Sequence, residues 1–190
     1  EALSDFEGGV GVLVKKKGKS PAMVPVTVGA NDGADMEIVK GLGTTPETMD
    51  VAEDLCRSLG KETIRVNLDV AGIVLNRINY PSTIEAIRLV EAGVATVEDI
   101  DKGMRLGFGR PMGPFETSDM TGLDVGYNGM MAVYNETKDP KFHPPMLLQR
   151  KVKLGHLGRK TGIGWYRYDE KGQKLGPAVP HGGIDKPAQK

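Results

Sequence analysis

A chain of 190 residues holds one domain or one and a half. Its 25 Lys plus Arg balance 25 Asp plus Glu, so there is no general electrostatic footprint for nucleic acid or an anionic membrane. The single cysteine, Cys56, excludes a disulfide framework and fits a reducing, cytoplasmic setting; no stretch approaches the ~20 apolar residues of a membrane span, and Glu1–Asp5 lacks the charge and apolar run of a signal peptide.

Residues 1–43 are glycine-rich. Val10–Val14 and Met23–Val28 have β-branched, partly alternating character that predicts two short strands, and Met36–Lys40 predicts a third. The run Lys15-Lys16-Lys17-Gly18-Lys19 reads as a solvated loop rather than an anion site. Its Gly18-Lys19-Ser20 step is not a P-loop, because Leu13 stands where the first glycine is required. Thr45 as N-cap and Pro46 at the first helical position open a helix, with Met49, Ala52, Leu55, Cys56 and Leu59 on one face and Gly60 as its stop. A strand, Thr63–Val66, follows, completing the unit that closes an α/β layer.

After Gly72 the pattern is helical. A helix is expected over Ile73–Glu91, with Pro81 inside it, and Gly93 ends it. Thr96 with Asp99 resembles a capping box and opens a short helix through Met104. Gly107, Gly109, Pro111, Gly113 and Pro114 predict a rigid turn. Leu123, Tyr127, Met130, Met131 and Tyr134 mark a helix from about Gly122 to Asn135, and Pro144-Pro145 start a last one that ends at Gly155. The expected organisation is therefore 1–71 as the end of an α/β layer, 72–168 as a helical domain of four or five helices, and 169–190, polar and rich in Gly and Pro, as a flexible tail.

Several motifs in order carry a family resemblance. Gly72-Ile73-Val74-Leu75-Asn76-Arg77, Pro81, Glu85-Ala86 and Leu89-Val90-Glu91-Ala92-Gly93 resemble the opening of the C-terminal domain of 3-hydroxyacyl-CoA dehydrogenases. So do Val97–Lys102, the turn Gly109-Arg110-Pro111-Met112-Gly113-Pro114-Phe115-Glu116 with Asp119 and Gly122-Leu123-Asp124, and the closing run Gly158-Arg159-Lys160-Thr161-Gly162-Ile163-Gly164-Trp165-Tyr166. The resemblance extends from about Met36 to Tyr168. It implies a mostly α fold: a helical domain of the 6-phosphogluconate dehydrogenase C-terminal-like type, preceded by the remnant of a Rossmann layer. It also implies an oxidoreductase that moves a hydride between a 3-hydroxyacyl-CoA and NAD, in fatty-acid β-oxidation or 3-hydroxybutyryl-CoA formation, and a homodimer formed through the helical domain.

The family's histidine base takes the hydroxyl proton, and a glutamate twelve residues later holds the imidazole. The resemblance places that glutamate at Glu37 and the family's substrate-binding asparagine at Asn76. Twelve residues before Glu37 stands Pro25, and the sequence contains no Gly-x-Gly-x-x-Gly. This chain alone is therefore expected to bind no NAD and to be inactive by itself. The alternative is a non-catalytic dimerisation or acyl-CoA-binding module. Arg77 reads as structural. His143, His156 and His181 lack a carboxylate at a telling spacing and read as surface groups, with no metal-ligand cluster. The methionines Met104, Met112, Met120, Met130, Met131 and Met146 fit either core packing or a pliable apolar groove. Gly158–Tyr166 fits either a tight structural turn or a cradle for a CoA phosphate.

Overall fold

The computed structural model describes residues 37–178 in full, together with the backbone of residues 3–6, 9–14, 22–25, 27–31 and 35–36. The basic run from Lys15 to Lys19 and His181 lie outside the described residues. The chain divides into two compact units, Glu1–Arg77 and Ile78–Lys190.

In the first unit, β1 (Leu3–Phe6), β2 (Gly9–Val14) and β3 (Ala22–Pro25) form an antiparallel meander. The expected strand over 23–28 is divided. It stops at Pro25, which has no N–H to extend the ladder, and β4 (Thr27–Asn31) joins a different sheet. There β4 pairs antiparallel with β5 (Asp35–Val39), and β5 pairs parallel with β6 (Glu62–Val66). The crossover between β5 and β6 is α1 (Pro46–Ser58), whose N-cap Thr45 accepts from the Thr48 N–H at 3.3 Å. A parallel pair needs such a crossover, and this β–α–β unit is the α/β layer expected from the sequence. Met49, Ala52 and Cys56 bury their side chains, whereas Leu59, assigned to the same face, is 57% exposed.

Helix α2 (Leu75–Glu91) begins two residues later than the periodicity suggested, because Gly72 and Ile73 both adopt positive φ. Its later turns bury Thr83, Ile84, Ala86 and Ile87 in the second unit. Helix α3 (Val97–Phe108) is capped by Thr96, which accepts from the Asp99 N–H at 3.1 Å. The Asp99 carboxylate is too short for the reciprocal backbone bond and instead accepts from the Thr96 hydroxyl at 2.6 Å. This helix runs four residues past Met104 and ends at Gly109, which is left-handed at φ 64°. The expected turn is thus shortened to residues 109–113.

Helix α4 (Pro114–Thr121) has no counterpart in the sequence reading; α5 (Leu123–Thr137) and α6 (Met146–Lys153) do. The core holds Ile84, Ile87, Phe115, Leu123, Met130, Leu148, Trp165 and Tyr166. Of the methionines, Met130 is core, while Met120 and Met146 are about half exposed. Residues 169–178, expected to begin the tail, are ordered: β7 (Tyr166–Tyr168) pairs with β8 (Lys174–Pro177). The Asp169 carboxylate makes the hairpin by accepting from the N–H groups of Lys171 and Gln173, and the Ala178 N–H donates to the Trp165 carbonyl. Residues 179–190 lie outside the described residues.

Two buried aspartates knit the second unit together. Asp101, fully buried on α3, accepts from the N–H groups of Phe115 and Glu116 at 2.9 and 3.1 Å and from the Tyr166 hydroxyl at 2.7 Å. It caps α4 from fourteen residues away. Asp119 accepts from the N–H groups of Trp165 and Tyr166 at 2.8 and 2.9 Å and from the Tyr168 hydroxyl at 2.9 Å. Burial pushes both carboxyls above the usual range, against the pull of these donors. Burial also lowers the pKa of Lys151, whose ammonium donates to the Gly164 carbonyl at 2.7 Å, while the charge of Asp119 opposes that shift.

Near the surface, Glu116 accepts from Arg105, Lys174 and the Gly113 N–H. Burial alone would raise its pKa, but these donors hold it at about 2. A carboxyl depressed in the folded state contributes stability above its ordinary pKa of 4.5 and loses it as pH falls toward about 2. Asp101 and Asp119 act with the opposite sign, so the test is a difference. The Tm of wild type minus that of Glu116→Gln is expected to be several degrees near pH 6 and to shrink toward zero at pH 2, followed by circular dichroism at each pH. A difference that does not vary with pH contradicts the assignment.

Candidate active site

The two residues singled out as a site, Glu37 and Asn76, are 39 positions apart in the sequence, and the first unit brings them to one turn. Glu37 is the third residue of β5 and is completely buried. Its Oε1 accepts from the N–H groups of Val74 and Leu75 at 3.1 and 2.9 Å. These are donors at the start of α2 that no intrahelical carbonyl can satisfy, and a carboxylate there also complements the positive end of the helix dipole. Asn76 is the next residue, in the first turn of α2 and half-buried. Among the described residues its side-chain amide has no hydrogen-bond partner, and a half-buried amide in that state is available to a ligand.

Further hydrogen bonds define the same turn. The Ile73 N–H donates to the Val70 carbonyl at 2.9 Å and the Arg77 N–H to the Gly72 carbonyl at 3.1 Å. The Arg77 Nη1 reaches the Ala71 carbonyl at 3.3 Å. Arg77, read from the sequence as structural, is thus part of the turn that carries Asn76.

A cleft of about 410 Å³ opens at the carboxyl ends of β5 and β6, lined by Lys40, Leu42, Thr44, Asn67 and Asp69 among others. Its placement is the usual one for ligands of open α/β sheets. Neither Glu37 nor Asn76 lines it, so the cleft and the Glu37–Asn76 turn are separate features of this unit.

In the second unit, the closing run behaves as a structural turn. Gly158 and Gly162 adopt positive φ of 99° and 71°, and a Cβ on Gly164 would stand 2.0 Å from Asp119 Oδ1. Trp165 and Tyr166 are core. Lys160 is ion-paired to Asp124 at 2.6 Å, and Arg159 lies over the Tyr168 ring. His143 packs edge-on against Tyr134 with ring centroids 4.9 Å apart. Among the described residues no group of three His, Cys, Asp or Glu side chains could hold a metal ion, and no helix is long and apolar enough to cross a membrane.

Comparison with known proteins places the chain in a family. A family profile described as "3-hydroxyacyl-CoA dehydrogenase, C-terminal domain" matches residues 72–168, just over half the chain. The probable 3-hydroxybutyryl-CoA dehydrogenase of Bacillus subtilis (strain 168) is 41% identical over 136 residues, covering 72% of this chain and 47% of that protein. The mitochondrial hydroxyacyl-coenzyme A dehydrogenase of Mus musculus is 40% identical over 139 residues, covering 70% of this chain and 42% of that protein. Among solved structures, the (S)-3-hydroxybutyryl-CoA dehydrogenase of Ralstonia eutropha superposes with a TM-score of 0.68 at 42% identity, covering 72% of this chain and 48% of that one. The chain spans about half the length of the relatives it matches. With the helical unit, the motif order and these matches in agreement, the chain belongs to the 3-hydroxyacyl-CoA dehydrogenase family and carries its C-terminal domain.

Proposed function

We propose that this chain is part of an NAD-dependent oxidoreductase that interconverts 3-hydroxyacyl-CoA and 3-oxoacyl-CoA, with Asn76 binding a substrate oxygen. The carrying observation is the Glu37–α2 turn, in which a buried carboxylate fixes the helix start and leaves the Asn76 amide without a partner among the described residues. On this reading the amide donates to the oxygen on the 3-carbon of the acyl-CoA, and donors preorganised at developing charge are an effective form of catalysis. NAD itself does not fit the described residues: they offer one parallel strand pair, and the sequence has no glycine fingerprint beside it. No step through NAD is assigned to them.

The test supplies the part of the relatives' length that this chain does not span. Residues 72–168 replace the matching segment of the Ralstonia eutropha enzyme, and NADH consumption is followed with a 3-oxoacyl-CoA. The exchanged enzyme is expected to turn over within about tenfold of its parent, roughly 1.4 kcal/mol in barrier. The isolated chain is expected to give no saturable heat on titration with NADH. A folded but inactive exchanged enzyme would favour the module reading, and micromolar NADH binding by the isolated chain would overturn the cofactor assignment.

The partners proposed with this function are an acyl-CoA and a second copy of the chain, without nucleic acid or membrane. Leu106 and Phe108, on the last turn of α3, are 77% and 75% exposed, and large apolar side chains left in water suit a protein interface. Sedimentation is expected to give twice the 20.4 kDa chain mass. Phe108→Asp, which disturbs no core contact, is expected to raise the monomer fraction at least severalfold. A wild-type chain that stays monomeric at high concentration contradicts this.

A further inference from the structure

Ile73 is one of two non-glycine residues with positive φ in the described chain, at 50°, and the other is the helix C-cap Lys138. For a β-branched side chain the left-handed region is crowded, and a residue is held there only under strain. Such strain persists only where the surroundings over-determine the backbone. Here they do. Gly72 precedes Ile73 with φ 77°, and the two following N–H groups are bound by the Glu37 carboxylate. The Arg77 backbone closes onto Gly72, and its guanidinium closes onto Ala71. Two hydrogen bonds from Glu37 on the strand and two from Arg77 in the first turn of α2 therefore converge on this segment, and the Ile73 N–H closes it from within onto the Val70 carbonyl.

We propose that Glu37 and Arg77 are positioning residues that clamp the strained Gly72–Ile73 step and thereby fix the direction in which Asn76 leaves α2. The substrate role of Asn76 rests on the function proposed above; the clamp itself does not. A rotation of the first helical turn by one residue would swing Asn76 through about 100°, since an α-helix has 3.6 residues per turn. The clamp prevents that rotation. It also gives Glu37 a task that needs no histidine beside it, consistent with Pro25 standing at the twelve-residue spacing. Arg77 adds what a lysine would not, a planar guanidinium that can reach the Ala71 carbonyl while its own backbone N–H is engaged.

The experiment uses the full 190-residue chain, labelled with nitrogen-15, without any acyl-CoA. Two quantities are read: amide hydrogen exchange at Arg77, and the side-chain amide resonance of Asn76. In Glu37→Ala, Arg77 exchange is expected to accelerate at least tenfold and the two Asn76 amide resonances to shift and broaden as the side chain loses its fixed direction. Arg77→Met is expected to do the same to a lesser degree. Adding Ile73→Gly to Glu37→Ala is expected to recover a large part of the lost protection, because glycine accepts positive φ without strain. Amides of α1 serve as the internal control for the stability of the first unit. Should Glu37→Ala unfold the first unit, Glu37→Gln is read instead; it keeps an acceptor oxygen but loses the charge, and a severalfold acceleration is expected. Unchanged Arg77 exchange and an unmoved Asn76 resonance in the folded variants would overturn the proposal. If the exchange results hold while the exchanged enzyme is inactive, the clamp stands and the substrate reading falls.

Discussion

Asp119→Ala is expected to unfold the helical unit. The carboxylate is 1% exposed and holds the N–H groups of Trp165 and Tyr166 and the hydroxyl of Tyr168. Truncation leaves three donors in the core without a partner. Each costs about 1–3 kcal/mol, so the loss approaches the whole stability of a domain, about 5–15 kcal/mol. It also leaves the buried ammonium of Lys151 without the charge that opposes its desolvation. Repacking offers little relief, because Gly158 and Gly164 lie close against Asp119, where an added Cβ would stand 2.3 Å from its carbonyl oxygen and 2.0 Å from its Oδ1, respectively. A thermal melt should lose its cooperative transition or shift down by more than about 15 °C. A shift of less than about 4 °C would show that the Asp119 bonds are dispensable.

Phe115 shows where sequence reasoning misplaced a residue. Set in a Gly- and Pro-rich turn, it carries no helical signal of its own. In the structure it is the second residue of α4, fully buried, with its ring 4.9 Å from that of Trp165 at 63°. The helix was hard to read because the oxygens that accept from its Phe115 and Glu116 N–H groups come from a remote residue. Gly113 has no side chain with which to cap, and Asp101 supplies the oxygens instead. A side chain at Gly113 would collide with Asp101, its Cβ only 2.1 Å from Oδ1, so the residue that makes this cap possible is the one that hides it. By contrast α1 and α3 carry Thr45 and Thr96 as their own caps, and both starts were legible.

The hairpin after Tyr166 was missed for a related reason. Its composition is that of a tail, but Asp169 turns it locally and Glu116 ties Lys174 from 58 residues away. Contacts of that separation leave no periodic trace. The site divides the same way. Glu37 and Asn76 were legible only through motif resemblance; nothing local marks a strand carboxylate as the cap of a helix 37 residues on. The positive φ of Ile73 had no signal at all, since isoleucine is among the last residues expected there.

The central claim, that the start of α2 presents an acyl-CoA-binding amide, meets its most direct test in Asn76→Ala within the exchanged enzyme. The half-buried amide has no partner among the described residues, so its removal should leave Tm within about 2 °C of the parent. If it donates to a substrate oxygen, turnover should fall by roughly 10- to 100-fold, equivalent to about 1.4–2.7 kcal/mol of lost stabilisation. Turnover per folded enzyme and Tm are measured on the same preparation. A large fall in turnover at unchanged Tm is the predicted result, whereas unaltered turnover per folded enzyme, with or without a fall in Tm, would contradict the account.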